Sequence, residues 1–243
     1  MRDSGRLHLP CLLAVLLSLI SPTAYSQPAG LQSFEAHYSI SRQGITLGRL
    51  KLSLRFDSSG NYRYRADSEH TGLFSWLHPQ QVEERSEGHF EQGQVIPQRY
   101  HYLRRHSDEK KQIKLQFDWQ KRQVTTSTGD SRWRQLIETG TQDKFSQQLA
   151  VRLDLAQGKS EMHYRVADGG RLKDYYFQLR GRERIKTVAG TLDCLRVERR
   201  KGSGKIDSTI WFAPTIDHLP VRILRSQGGA EYLMELETLV SAP

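Results

Sequence analysis

The side chains that could do chemistry stand apart from one another. His101 and His106 are five residues apart on one candidate strand and would face opposite sides of it, so they cannot share an ion locally. Zinc sites usually show Cys or His pairs at short fixed spacing, and His37, His70, His78, His89, His163 and His218 are single; no metal site is expected. Cys194 sits inside the alternating run Leu192-Asp193-Cys194-Leu195-Arg196-Val197 with nothing beside it to form a thiolate, so it is expected to be a buried structural thiol. Glu83-Glu84, Asp108-Glu109 and Glu235/Glu237 supply carboxylates. Glycosidase chemistry needs two of them held across one bond, which no spacing here provides. There is no Gly-x-Ser-x-Gly elbow, phosphate-binding glycine loop or dinucleotide fingerprint. Gly181-Arg182-Glu183 suits a bulged strand. No catalytic residue and no cofactor are assigned, and a non-catalytic protein is expected.

Binding is better served than catalysis. Phe74, Trp76, Phe117, Trp119 and Trp211 are the candidate ligand-binding residues. Phe74 and Trp76 fall in Thr71–Pro79, an apolar run too short for a core helix and closed by proline; it either caps one end of a sheet or offers those two rings to a ligand.

The elements that must position these groups are mostly strands. Phe34, Ala36, Tyr38 and Ile40 alternate with polar neighbours, as do Leu50, Leu52, Leu54 and Phe56, and period two places alternate side chains on opposite faces. The apolar phase slips at Gly48-Arg49, which predicts a β-bulge. Asp57–Asn61 reads as a hairpin loop, and Gln92-Gly93, Asp168-Gly169-Gly170 and Gly228-Gly229 as turns. From Asp143 to Ala156 the period changes: Phe145, Leu149 and Leu153 recur every four residues, with Thr141 or Asp143 as cap and Gly158 as stop. The expected fold is mostly β, a single curved antiparallel sheet or incomplete β-barrel with this one amphipathic helix packed on or in it.

The ends and the charge narrow the setting. Arg2 and Arg6, the apolar run Leu9–Ile20 and the small side chains of Ala24 and Ser26 give the three-part layout of a signal peptide cleaved before Gln27. The apolar core is shorter than the roughly 20 residues that span a bilayer. Residues 1–26 are therefore read as a leader and 27–243 as one β-rich periplasmic domain. Lys and Arg outnumber Asp and Glu 36 to 27 over the whole chain. Such a surface suits peripheral contact with an anionic envelope, and export excludes nucleic acid as partner.

The most specific stretch is Trp211-Phe212-Ala213-Pro214-Thr215-Ile216-Asp217-His218-Leu219-Pro220-Val221-Arg222-Ile223. A strand should end at Pro214 and another open at Pro220, since proline lacks an amide donor, with Trp211 and Val221 packed near one another. With Gly181-x-Glu183, Thr187-x-x-Gly190 and Tyr38…Gly44…Gly48, this resembles the exported bacterial domain-of-unknown-function family 3108 over roughly residues 33–240. The hairpin is also similar to one in periplasmic lipoprotein carriers of the Lol type. That likeness implies an incomplete barrel closed by helices around an apolar cavity, and a lipid or lipoprotein segment as ligand. Leu52, Leu54, Phe117, Trp119 and Tyr232 would line it. The rival expectations are an assembly partner that binds through a sheet edge, and a hydrolase whose site only the fold assembles.

Overall fold

The computed structural model describes residues 31–71, 80–106, 109–188 and 190–241. Eight strands run in sequence: β1 (Phe34–Arg42), β2 (Ile45–Phe56), β3 (Tyr62–His70), β4 (Gln80–Glu91), β5 (Gln94–His106), β6 (Glu109–Asp118), β7 (Gln123–Thr128) and β8 (Ser131–Leu136). The two-residue β9 (Gln142–Asp143) leads into the helix α1 (Ser146–Ala156). Six more strands follow: β10 (Glu161–Asp168), β11 (Arg171–Thr187), β12 (Gly190–Lys201), β13 (Ile206–Ala213), β14 (Leu219–Gln227) and β15 (Ala230–Ser241). All fifteen strands form one sheet, ordered β8 through β1, then β15 back to β9. The first and last strands pair antiparallel at its centre, and only β9 pairs parallel, with β10.

Local sequence sets the curvature. Ile40 opposes Gly48 but Ser41 opposes Thr46, so Leu47 is the extra residue of a bulge, at the point where the apolar phase slips. Glycine is required there because a Cβ on Gly48 would lie 2.4 Å from the Glu69 carbonyl oxygen. A second bulge inserts Arg180 ahead of Gly181. The Asp57 carboxylate accepts the Ser59 and Asn61 amides at 2.9 Å each and so forms the β2–β3 turn.

β8 and β9 end the sheet on opposite sides, although few residues separate them in the chain. Side chains, rather than a ladder, bridge them. Trp133 of β8 donates from Nε1 to the Gly170 carbonyl at 3.0 Å, and Gln142 of β9 donates to the Val95 carbonyl on β5 at 2.9 Å. Gly170 has φ +79°, and the Trp133 ring lies where its Cβ would be, so both the turn and the seam require glycine.

The helix fills the interior. Leu149, Val151, Leu153 and Leu155 are buried, and so are Ser146, Gln147 and Arg152 on its other faces. The amphipathic helix expected from the four-residue spacing is therefore a plug surrounded on nearly every side, which explains its weak polar–apolar contrast. It begins at Ser146 because the buried Asp143 Oδ1 accepts the amides of Phe145 and Ser146, at 2.7 and 2.6 Å. It ends in a Schellman arrangement: the Gly158 amide donates to the Leu155 carbonyl and Lys159 to Asp154, with Gly158 at φ +80°.

The helix start is bolted to the sheet through that same carboxylate. Ser86 on β4 donates to Asp143 Oδ2 at 2.6 Å, and Ser86 in turn meets the Tyr62 hydroxyl at 3.1 Å. Next to them the Tyr64 and Phe145 rings stack at 4.2 Å. Burial pushes the Asp143 pKa up to about 6, and its hydrogen bonds offset only part of that. A carboxyl whose folded pKa is raised contributes stability that is present below its unfolded pKa and is lost as pH rises through about 6. The shift corresponds to about 3 kcal/mol. Unfolding free energies of the wild type and Asp143→Asn, measured by denaturant at pH 4 and pH 7, should therefore diverge: wild type gains about 2 kcal/mol on the variant at the lower pH.

Candidate functional site

One flank of α1 does not reach the sheet. Between it and the inner faces of β1, β2 and β11 to β15 lies a cavity of about 450 Å³. The strand registers make its wall a set of rungs, since directly opposed residues share a face. Val197, Ile210, Ile223, Met234 and Ile40 oppose one another in turn across β12, β13, β14, β15 and β1, forming an aliphatic rung. Two residues along each of the first four strands, toward the β14–β15 hairpin, Arg199, Ser208, Arg225 and Tyr232 oppose one another in the same way. The wall thus passes from wholly apolar to polar and cationic over one strand repeat.

The cations on the polar rung are not equivalent. Arg199 binds Asp207 through two hydrogen bonds, at 2.8 and 3.1 Å, and also donates to Ser208 Oγ. Burial pushes the Asp207 pKa up, but the Arg199 hydrogen bonds and charge outweigh it and hold the carboxyl below its usual value. Lys201 lies 3.6 Å from the same carboxylate, and burial pulls its pKa down. Arg225, partly buried on the wall, has no hydrogen bond or ion pair among the described residues. Glu84 also lines the cavity, but it already accepts the Tyr100 hydroxyl at 2.7 Å and lies 3.5 Å from Lys144. On the helix side Gln147 is buried and its Oε1 has no partner.

A second space of about 360 Å³ lies on the other flank of α1, lined by Val95, Gln142, Ala150 and Leu153 among others. Phe117 and Trp119 stack at 5.6 Å, Phe117 is buried, and the Trp119 indole donates to the Pro97 carbonyl at 2.8 Å. Neither lines the cavity. Trp211 does not line it either: Ser208, Ile210 and Phe212 take the inner face of β13, and the Trp211 indole donates to Glu183 Oε2 at 2.7 Å. Trp211 opposes Arg222 and Phe212 opposes Pro220, so the buried Val221 is the extra residue of a bulge beside Trp211. Phe74 and Trp76 lie outside the described residues. Of the other expected lining residues, Leu52 and Tyr232 are on the wall, whereas Leu54 belongs to the closed core.

Sequence reasoning missed Arg225, Arg199 and Arg152. For Arg225 a signal existed: Ile223, Arg225 and Gln227 share one parity, so a strand that buries Ile223 must turn Arg225 inward as well. Arg152 has no such signal. It is fully buried on α1 without a carboxylate partner; its Nε donates to the Asp217 carbonyl at 3.0 Å, its guanidinium lies 5.1 Å from the Phe34 ring, and Nη1 has no partner. Asp217 and His218 both adopt left-handed backbone, at φ +55° and +53°, and Tyr38 donates to the Pro220 carbonyl at 2.8 Å. Arg152 and Tyr38 thus hold the Pro214–Pro220 crossing, a strained loop at the edge of the cavity. Burial pulls the His218 pKa down, with the Arg152 charge adding to it. Among the described residues no three His, Cys, Asp or Glu are grouped to hold a metal ion. Cys194 is buried and unpaired, and burial pushes its pKa up to about 11.

These features define a class: a barrel-like antiparallel meander, open along one seam and plugged by its own helix. Within that class, the chain belongs to the family described as protein of unknown function DUF3108, which it matches over residues 33–235. Its fold is similar to that of a β-barrel-like protein of domain of unknown function DUF1849 from Brucella abortus. The TM-score is 0.60 at 11% identity, covering 86% of this chain and 97% of that one. An exported protein with a YmcC-like fold from Bacteroides fragilis aligns at TM-score 0.36 and 10% identity, over 87% of this chain and 97% of that one. MucB aligns at TM-score 0.35 and 10% identity, over 89% of this chain and 56% of its own. At such identity the first likeness shows the fold alone, and the other two are below what a shared fold requires. No curated protein matches the sequence.

The role of Arg152 can be separated from its bulk. Arg152→Ala empties a large buried site and should cost about 2–5 kcal/mol. Arg152→Met keeps most of the volume and removes an uncompensated charge, so it should stay within about 2 kcal/mol of wild type. Denaturant unfolding of both variants checks this.

Proposed function

We propose that this chain is an exported, non-catalytic envelope protein that shelters an apolar chain in the cavity between α1 and the sheet. The observation that carries the reading is the rung Ile210–Ile223–Met234–Ile40, an aliphatic wall facing about 450 Å³ of open space. Ligand pockets run about 300–1,000 Å³, and close-packed interiors leave few voids larger than a water molecule, so a space of this size is a binding site rather than a packing defect. Each methylene buried against such a wall gains about 0.8 kcal/mol. A single acyl chain therefore has both the room and the driving force to enter.

Export to the periplasm is supported by the leader-like layout of Arg2–Ser26. The non-catalytic reading is supported by the titratable groups of the cavity. Glu84 is the one carboxylate among the described residues that line it, with no second carboxylate or His beside it on the wall, and it accepts the Tyr100 hydroxyl and faces Lys144.

Native mass spectrometry of protein purified from a bacterial periplasm should show cleavage before Gln27 and a bound lipid mass that is lost from Ile223→Trp, a variant that fills the cavity from a wall position. Ligand-free wild type that also fails to bind an added single-chain lipid would refute the reading.

A further inference from the structure

We infer that the occupant of the cavity is a single-chain anionic amphiphile, its tail along the aliphatic rung and its acidic head group on Arg225. This rests on the apolar-chain reading above and adds the ligand's head group, charge and direction of entry.

Three observations carry it. First, the polarity of the wall changes along one axis. Ile210, Ile223 and Met234 lead, two residues on, to Ser208, Arg225 and Tyr232, so a ligand that satisfies the whole wall must itself be apolar at one end and polar at the other. Second, the charge at the polar end is unbalanced. Arg199, Lys201 and Arg225 gather around Asp207, and Arg199 takes both of its oxygens; the next carboxylate to act on Lys201, Asp168, is already paired with Lys173 and Tyr175. Arg42 adds a further cation, 5.9 Å from the Tyr232 ring. Third, Arg225 is the cation left over. It is drawn partly out of water on the cavity wall, without a hydrogen bond or ion pair among the described residues. A guanidinium in that position offers a fork of N–H donors that a phosphate or carboxylate can accept two at a time.

A space of about 450 Å³ accommodates one long acyl chain. The apolar end also excludes a free anion as the intended ligand, because inorganic phosphate would leave the aliphatic rung empty.

The test is isothermal titration calorimetry with two lipids that share one palmitoyl chain and differ in head group, lysophosphatidic acid and the uncharged, phosphate-free monopalmitoylglycerol, both below micelle formation. The full-length mature protein should prefer the anionic lipid by about ten-fold, the worth of a charge-assisted hydrogen bond. Arg225→Gln should abolish that preference by lowering the affinity for lysophosphatidic acid about ten-fold, and Arg225→Lys should restore most of it. Because Arg225 makes no hydrogen bond in the fold, both variants should unfold at the wild-type denaturant midpoint. Inorganic phosphate alone should neither bind nor compete. Equal affinity of wild type for the two lipids, a preference that survives Arg225→Gln, or competition by inorganic phosphate would each overturn the head-group inference and leave the apolar-chain reading standing. Failure of both lipids to bind would overturn the two together.

Discussion

A fifteen-stranded antiparallel sheet that curls without closing has a concave apolar face and two free edges, and the rest of this molecule answers those two demands. Water on the concave face would forfeit the burial of Leu52, Leu54, Tyr38, Val197 and their neighbours, each worth about 1.5–3 kcal/mol. The chain meets the demand by turning inward at its midpoint. After β8 it leaves one edge, passes through β9 at the other and enters the interior as α1. A helix placed there must satisfy its first amides without solvent, and Asp143 does so at the cost of burying a carboxylate. Ser86 and Tyr62 then tie that carboxylate to the sheet, so a single polar chain fixes where the plug sits.

Where the plug sits decides where the empty space lies. The rings of Phe117 and Trp119, and those of Tyr62 and Phe90, stack on one side of the interior, and Tyr64 stacks on Phe145 at the helix start. The opposite flank of α1 presents Gln147 and Val151 toward strands whose inner residues are aliphatic and do not reach them. The cavity lies where the inner residues of these strands, Ile210, Ile223 and Met234 among them, leave space beside the helix.

Much of this was legible in the sequence, because period two survives wherever one face of a strand is buried. The bulge at Gly48, the glycine turns and the helix stop at Gly158 all follow from local patterns that tertiary contacts reinforce. The site was less legible, for two physical reasons. Large aromatic residues in strands suggest a wall, yet Phe117 and Trp119 stack away from the cavity and Trp211 shares parity with the outward residues of β13, where its indole finds Glu183. The wall itself is made of ordinary aliphatic residues, which any strand shows, and its polar end is made of arginines, which usually mark solvent. Arg222 and Arg225 differ only in parity. The first turns outward to Glu235 at 2.6 Å, and the second turns inward to the cavity.

The same parity argument explains why the interior tolerates charge at all. Arg152, Asp143 and Arg199 are each anchored by contacts inside the fold: a backbone carbonyl for the first, amides and a hydroxyl for the second, and Asp207 for the third. Groups anchored in this way hold elements in place, and nothing about them changes when a ligand enters. Arg225 differs in having the exposure of a wall residue and the parity of a core residue, with no anchor of its own. Desolvating a cation without a partner is unfavourable, so evolution toward stability alone would replace it with an aliphatic residue that extends the rung. Its presence on the inner face is therefore best explained by what it can hold. That places the discriminating chemistry of this fold on the cavity's polar rim, and leaves the aliphatic rung to supply affinity without selectivity.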